Sequence, residues 1–254
     1  MDLGLKRRGA LVAAASRGLG RACAEALLAE GAEVFISSHD PAAIETTAKQ
    51  IGAAGWLAAD VSKPGDPEAL VDAAAARLSG LDVLVVNAGG PRPGTFQSTP
   101  LEQWDAAFHL TLMSAVRLVR AALPHLEKSD QGRIVFITSI SVRQPIPTLA
   151  LSNAMRGAVT GMAKTLAREL APNRVTVNCL APDAILTERM RALAIAAGVD
   201  PDERIKQQAA AAPMGRLGDP AEFGAACAFL CSKHAGYITG QTLGIDGGTL
   251  LGVH

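Results

Sequence analysis

Five short segments of this chain place small or polar residues immediately after a short apolar run, where chemistry is most readily built. The first follows Ala10–Ala14 and reads Ala15-Ser16-Arg17-Gly18-Leu19-Gly20. Gly18 and Gly20 carry no side chain where backbone would approach a pyrophosphate at the start of the next helix. A plain tight turn explains two glycines equally well. The second, Asn87-Ala88-Gly89-Gly90, follows Val83–Val86 and is small enough for a flat ring and a ribose to lie against it. The third is the hydroxyl of Ser139, just past Ile134–Thr138. The fourth is Ala181-Pro182-Asp183-Ala184-Ile185-Leu186-Thr187, and the fifth joins Ile238-Thr239-Gly240-Gln241 to Asp246-Gly247-Gly248.

The elements that must position these segments are regular. Strand candidates are Ala10–Ala14, Val34–Ser37, Trp56–Ala59, Val83–Val86, Ile134–Thr138, Val175–Leu180 and Leu243–Ile245. Helix-period stretches such as Arg21–Glu30, Pro67–Ser79, Leu101–Leu123 and Ala154–Leu170 lie between them. In the last, Met155, Val159, Met162, Leu166 and Leu170 recur at three- and four-residue steps. Nearly continuous apolar strands alternating with helices predict one α/β domain over residues 1–254, a doubly wound parallel sheet of about seven strands with helices on both faces. In such a sheet ligands sit beyond the carboxyl ends of the strands, near the reversal of strand order. All five segments fall there.

Composition narrows the function classes. The chain has 254 residues, 49% hydrophobic and 19% charged, which excludes a disordered segment. Its 24 basic and 24 acidic side chains cancel, leaving no electrostatic footprint for nucleic acid or anionic lipid. No uninterrupted apolar run approaches the roughly 18 residues of a membrane span. Lys6-Arg7-Arg8 before Ala10–Ala15 imitates a signal peptide, but the apolar stretch is short and is better explained as a strand. A cytoplasmic protein is therefore expected. Cys23, Cys179, Cys227 and Cys231 are too scattered for a disulfide scaffold. Cys227 and Cys231 lie one helical turn apart, yet no further soft ligand completes a zinc site, so no metal is expected.

Taken together, the motifs resemble those of the short-chain dehydrogenase/reductase family, of the 3-oxoacyl-acyl-carrier-protein reductase type. The match runs from Arg8 to about Gly252. It is carried by Ser16-Arg17-Gly18-Leu19-Gly20, Asp60-Val61, Asn87-Ala88-Gly89, Ala167-Arg168-Glu169-Leu170 and Gly236-Tyr237-Ile238-Thr239-Gly240-Gln241. The resemblance implies a Rossmann-type dinucleotide fold and an NAD(P)-dependent oxidoreductase acting on a small carbonyl or alcohol substrate. It implies a homotetramer or homodimer, with helices Leu101–Leu123 and Ala154–Leu170 paired between subunits. It also places the nucleotide against Ala14, Ser16, Arg17, Gly18, Leu19, Gly20, Ser38, His39, Asp60, Val61, Asn87, Ala88, Gly89, Arg156, Pro182, Ile185 and Thr187.

The family's Asn-Ser-Tyr-Lys tetrad is altered here. Ser139 matches the Ser, and anchoring on Gly161 and Lys164–Leu170 puts Ser152 at the Tyr position, Arg156 at the Lys position and Thr111 at the Asn position. Carbonyl reduction needs a proton donor at the developing alkoxide, which the family tyrosine supplies with help from its neighbouring ammonium. A serine hydroxyl is a far weaker acid, and arginine holds its proton. The only tyrosine, Tyr237, lies in the C-terminal signature, where a structural role is expected. Ser152 and Arg156 still share a helix face. Arg156 offers a fork suited to a ribose, carboxylate or phosphate. The competing reading is an N-cap serine beside an exposed arginine.

The nucleotide turn departs too. Ala13-Ala14 stands where Thr-Gly is usual, so Ala14 adds a methyl where the backbone calls for an unusual φ or a close approach. Pro182-Asp183 replaces Pro-Gly. Neutral Ser38 at the end of the second strand, with Arg17 nearby to meet a 2′-phosphate, favours NADP over NAD, although His39 and Asp40 complicate the reading. Asp60 either faces the adenine or caps a turn. His39, His109, His125, His234 and His254 show no metal spacing, and His109 is expected to pack. Neither serine sits in a G-x-S-x-G elbow, against a hydrolase. Arg92 and Arg143, on loops near the cleft, either meet an anionic substrate or remain solvated. Arg189–Pro213 has the pattern of a small helical lid.

Three functions compete: an oxidoreductase with a rewired proton donor, a nucleotide-binding sensor or partner subunit without turnover, and a structural subunit that has lost the nucleotide.

Overall fold

In the computed structural model, which describes residues 1–253, the strands are β1 (Gly9–Val12), β2 (Glu33–Ser38), β3 (Gly55–Ala58), β4 (Val83–Val86), β5 (Arg133–Ile137), β6 (Thr176–Pro182) and β7 (Thr242–Ile245). They form one sheet in the order β3-β2-β1-β4-β5-β6-β7, every neighbouring pair parallel. The order reverses between β1 and β4, so their carboxyl ends flank the crevice where the fold binds ligands.

The period of two along each strand divides the apolar side chains between two cores. Leu11, Leu84, Val86, Ile134, Phe136 and Val177 face α3 (Asp66–Leu78), α5 (Ser114–Leu126) and α6 (Ala150–Leu170). Ala10, Val12, Val34, Ile36, Val83, Val85, Val135, Ile137 and Leu180 face α1 (Gly18–Ala29), α2 (Pro41–Ile51) and α9 (Pro220–Cys231). This double burial is why the strands read as apolar runs rather than alternating ones. The Ala10-to-Ala15 run that mimicked a leader is the central strand and its exit, and is almost wholly buried.

Capping is written locally. Asp40 accepts from the Ala43 N–H at 3.1 Å ahead of Pro41, and α2 closes on left-handed Gly52. Asp219 caps α9, and the Arg216 fork on Glu222 holds that carboxyl down to about 2.

The stretch Leu101–Leu123 is more complex than its periodicity suggested. It comprises α4 (Leu101–Ala107), a π-helical turn over Phe108–Met113, and α5, which continues through Pro124 to Leu126. By length and hydropathy, Leu101–Leu126 would suffice to cross a bilayer, but its apolar side, including Leu118, Val119 and Leu126, packs into the core. The helix α6 begins at Ala150 with Leu149 as N-cap, so Ser152 lies inside the helix and caps nothing. The lid is two helices, α7 (Glu188–Ala196) and α8 (Pro201–Ala211).

Cys23, Cys227 and Cys231 are free thiols buried where α1 meets α9. The Cys23 and Cys227 thiols in contact push the thiol pKa of Cys227 well up. Among the described residues no group of three or more metal-type ligands gathers. The same helix pair approaches to backbone contact at Gly224, where a β-carbon would collide with the Ala22 carbonyl oxygen. Replacing Gly224 with Ala should force α1 outward and destabilise the fold by about 1–3 kcal/mol, the usual penalty of overpacking. A lowered urea midpoint at unchanged slope would report it.

Candidate active site

The turn after β1 is held on both sides. The Ala13 N–H donates to Val85 O at 3.1 Å and the Ala15 N–H to Ser37 O at 2.7 Å. Between them Ala14 adopts φ +49°, a left-handed conformation that favours glycine. The Ala14 carbonyl accepts from Asn87 Nδ2 at 3.1 Å, across the crevice. A β-carbon at Gly20 would sit 2.5 Å from that same carbonyl oxygen and 2.8 Å from Asn87 Nδ2, so only glycine fits there. Gly18 opens α1 at φ +59°, and the first turn of α1 has neither a side-chain cap nor an acidic residue. Its N–H groups are left for an anion. These are the features of a pyrophosphate cradle. Leu19 packs on the core beneath.

At the adenosine end, Ser16 Oγ donates to Ser38 Oγ at 3.0 Å, and Thr47 Oγ1 fixes the Ser16 carbonyl at 2.8 Å. Ser38 is buried and His39 exposed. The Asp40 carboxylate caps α2, so the acid that complicated the choice of nucleotide is already engaged. Arg17 is 71% exposed, and among the described residues its ion-pair contact is Glu188, at 4.0 Å. Asp60 Oδ1 accepts from the Ser62 N–H at 3.1 Å and the Ser62 hydroxyl at 2.7 Å. Burial opposes its ionisation, but these bonds hold its carboxyl below the ordinary value. The Val61 side chain belongs to the core, so contact with a ligand there falls to backbone. Ala88 packs partly against the same core, and the position of Gly89 opens onto free space.

The residues at the tetrad positions lie beyond β4 and β5. Ser139 caps a short 3-10 turn, accepting from the Ser141 N–H at 3.1 Å. Ser152 is 9% exposed, and Arg156 stands one turn further along α6. Arg156 is no exposed helix arginine: Nη1 donates to Ile137 O at 2.6 Å, and among the described residues no carboxylate pairs with it. Burial, and then the neighbouring Arg189, pull its pKa down to about 10, which leaves it a cation at neutral pH. Thr111 sits in the π-helical turn, 7% exposed, and its hydroxyl has no partner. Asn87, Thr111, Ile137 and Arg156 line one cavity of about 20 Å³, room for one water molecule. The π-turn is the device that aims Thr111 here, as π-bulges often do at functional sites.

The segment after β6 closes over this crevice. Pro182 ends the strand, the Ile185 side chain is buried against Gly218, and Thr187 lies beside Gly18. Arg189, exposed on its outer side, lays its guanidinium against Gly90 and donates to Pro91 O at 3.4 Å. Sequence reasoning did not single out Arg189. The signal was present, a cation two residues after Thr187, but the direction of a long side chain is not written in spacing. Arg143 points away from the cleft to Thr242 O at 2.8 Å, which removes it as a ligand for an anionic substrate. Tyr237 is fully exposed rather than structural, and His109 leaves its Nδ1 buried without a partner. His254 lies outside the described residues.

The left-handed Ala14 yields a prediction. Ala14→Gly should raise unfolding stability by about 1 kcal/mol, because the strain of a β-carbon in this region exceeds the entropy that glycine adds to the unfolded chain. Chemical denaturation of the two proteins side by side measures it.

Residues 13–249 match the family model described as enoyl-(acyl carrier protein) reductase. The chain is 36% identical over 247 residues to the 3-oxoacyl-[acyl-carrier-protein] reductase FabG of Vibrio cholerae, covering 97% of this chain and 98% of that one. It is 34% identical over 251 residues to the human dehydrogenase/reductase SDR family member 4, covering 96% and 88%. Among solved structures it resembles L-sorbose reductase from Gluconobacter frateurii, complexed with NADPH and L-sorbose, at TM-score 0.91, 30% identity and full coverage of both chains. It also resembles YwfH, an NADPH-dependent reductase involved in bacilysin biosynthesis, at TM-score 0.91 and 29% identity, covering 97% and 99%. With its seven-stranded parallel sheet and the cradle at the β1–β4 reversal, the chain belongs to the short-chain dehydrogenase/reductase family of oxidoreductases.

Proposed function

We propose that this protein is a cytoplasmic, NADP-dependent reductase of a small carbonyl compound in which Ser139, Ser152 and Arg156 act on the substrate oxygen. The observation that carries this reading is the partly buried Arg156 cation, to which the described residues supply no carboxylate, one helical turn from Ser152 and bonded to Ile137 O two residues before Ser139. The uncapped α1 N-terminus, Gly20 and Asn87 fit the nucleotide's pyrophosphate and ribose. The engaged Asp40 and the exposed Arg17 support NADP rather than NAD.

Bound NADPH supplies a hydride to the carbonyl carbon. What the chain must then do is stabilise the negative charge that develops on the oxygen and deliver a proton to it. Ser139 and Ser152 each offer a hydroxyl donor, and the Arg156 guanidinium, fixed on Ile137 O, offsets the charge in a partly desolvated site. Neither hydroxyl is acidic enough to serve as the family tyrosine does. Each passes on a proton only as it takes one from water, so the proton arrives by relay through Ser152 or Ser139. Thr111, in the cavity that Arg156 lines, offers another hydroxyl to a water there. We further read the protein as a homotetramer or homodimer paired through α5 and α6, since α6 exposes Ala158, Gly161 and Thr165 on its outer side.

A second reading, a nucleotide-binding subunit without turnover, is favoured by the lack of any tyrosine near the site, Tyr237 being on the surface. Titration with NADPH and NADH, followed by nicotinamide fluorescence and calorimetry, separates this from the loss of the nucleotide. Saturable micromolar binding with preference for NADPH is expected; no binding to folded protein would end both readings. With binding in hand, Ser139→Ala should lower kcat by about 10²-fold or more, the scale of a lost donor at a developing oxyanion. Ser152→Tyr combined with Arg156→Lys should raise the reduction of simple ketones by about 10²–10⁴-fold, the usual contribution of a general acid. No turnover by either protein over a broad carbonyl panel would favour the subunit reading.

A further inference from the structure

We infer that the chain carries a second small-molecule site, at the free edge of the sheet, which takes an amphiphilic organic anion: a carboxylate on a short apolar body. The site is a cavity of about 310 Å³ between α6, β6 and the start of β7, and both Arg143 and Lys164 line it. Small-molecule pockets span roughly 300–1,000 Å³, so the space suffices for a small ligand. Its walls share no residue with the crevice at the β1–β4 reversal, since β7 ends the sheet beyond β4, β5 and β6.

The walls divide by chemistry. Val177, Ala163 and Cys179 are buried and form an apolar side. Burial pushes the Cys179 thiol up to about 11, so it stays neutral. The charged walls are Arg143 and Lys164, both exposed, and no acidic side chain lines the cavity. Each cation is held by a backbone carbonyl: Arg143 Nη2 donates to Thr242 O at 2.8 Å and Lys164 Nζ to Gly240 O at 2.9 Å. A carbonyl orients a cation without neutralising it, and further N–H donors remain on both heads. Among the described residues no carboxylate pairs with either.

Two glycines keep this arrangement open. Gly240 is left-handed at φ +69°, and a β-carbon there would press to 3.3 Å from Lys164 Cδ and Nζ, so glycine admits the lysine to the carbonyl. Gly161 lies inside α6, where glycine weakens a helix relative to alanine. Packing within the described chain does not demand it, since a β-carbon there would meet nothing within 4 Å. The open space beside it is the cavity. A guanidinium fork and an ammonium beside an apolar wall match a carboxylate whose body is hydrocarbon.

The test is calorimetric titration of the protein with hexanoate and benzoate, beside hexan-1-ol, benzyl alcohol and inorganic phosphate. At least one carboxylate should bind about 10- to 100-fold more tightly than its alcohol and than phosphate, as charge-assisted bonds and apolar burial imply. Arg143→Gln with Lys164→Gln should bring the acid-to-alcohol ratio close to unity. Gly161→Leu, which fills the cavity, should abolish binding of that carboxylate without lowering the urea midpoint. Saturating NADPH should move the carboxylate's affinity by less than about threefold. Equal affinities of acid and alcohol would overturn the inference, as would phosphate that binds as tightly as the acid, for then charge alone is read. Binding that NADPH displaces, or that Gly161→Leu leaves intact, would put the acid elsewhere and overturn it too. So would a protein that binds none of the probes and whose self-association in sedimentation falls with Lys164→Gln, for then a second copy fills the cavity. Failure to bind with unchanged association would overturn it equally.

Discussion

The whole cleft depends on one crowded carbonyl. Ala14 O accepts from Asn87 Nδ2 at the end of β4 and lies against Gly20 in the first turn of α1. That single oxygen ties together both strands at the sheet's reversal and the helix whose N-terminus faces the ligand. It is reached only because the backbone turns left-handed at Ala14, and it is tolerated only because Gly20 has no side chain. The left-handed alanine is strained by about 1–2 kcal/mol relative to an ordinary conformation. The flanking N–H bonds to Val85 and Ser37 keep it there. Strain at this point is therefore sustained by the sheet, and the cradle inherits its geometry from the two most deeply buried strands.

Much of this was legible in the sequence because the sheet is buried on both faces. Val83–Val86 coincides with β4, and the other strands fall within two residues of their apolar runs, since continuous burial writes a continuous signal. Ala14's need for an unusual φ was also legible, from the missing glycine alone. What could not be read has a common physical origin. The π-helical turn at Phe108–Met113 inserts no distinctive residue; it arises where the helix packs against α6 and Thr111 is turned inward. The start of α6 carries no capping residue, so Ser152 looked like a cap and is not. Asp40-Pro41 was in plain view as a helix start, but its nearness to the second strand drew attention to the ribose instead. The orientation of Arg143 and Arg189, long side chains on loops or helix ends, depends on contacts distant in sequence.

On the proposed reading, a hydroxyl and a guanidinium stand where the family carries a phenol and an ammonium, which alters the chemistry open to the site. A tyrosine next to a lysine forms a donor whose acidity is tuned by its neighbour. Serine beside arginine has no such acidity to tune; its strength lies in fixed charge and directed donors. The same site is thus better matched to holding a negative oxygen than to protonating it. The cavity shared by Asn87, Thr111 and Arg156 has room for one water molecule beside that guanidinium.

Charge placement gives the lid a meaning that its helical pattern did not. Thr187 lies over Gly18, Glu188 faces Arg17 and Arg189 covers Gly90, so three consecutive residues run from the start of α1 to the strip after β4. A phosphate near Arg17 would compete with Glu188 for the same guanidinium, and that competition bears on the first turn of α7, where the helix has no side-chain cap to hold it.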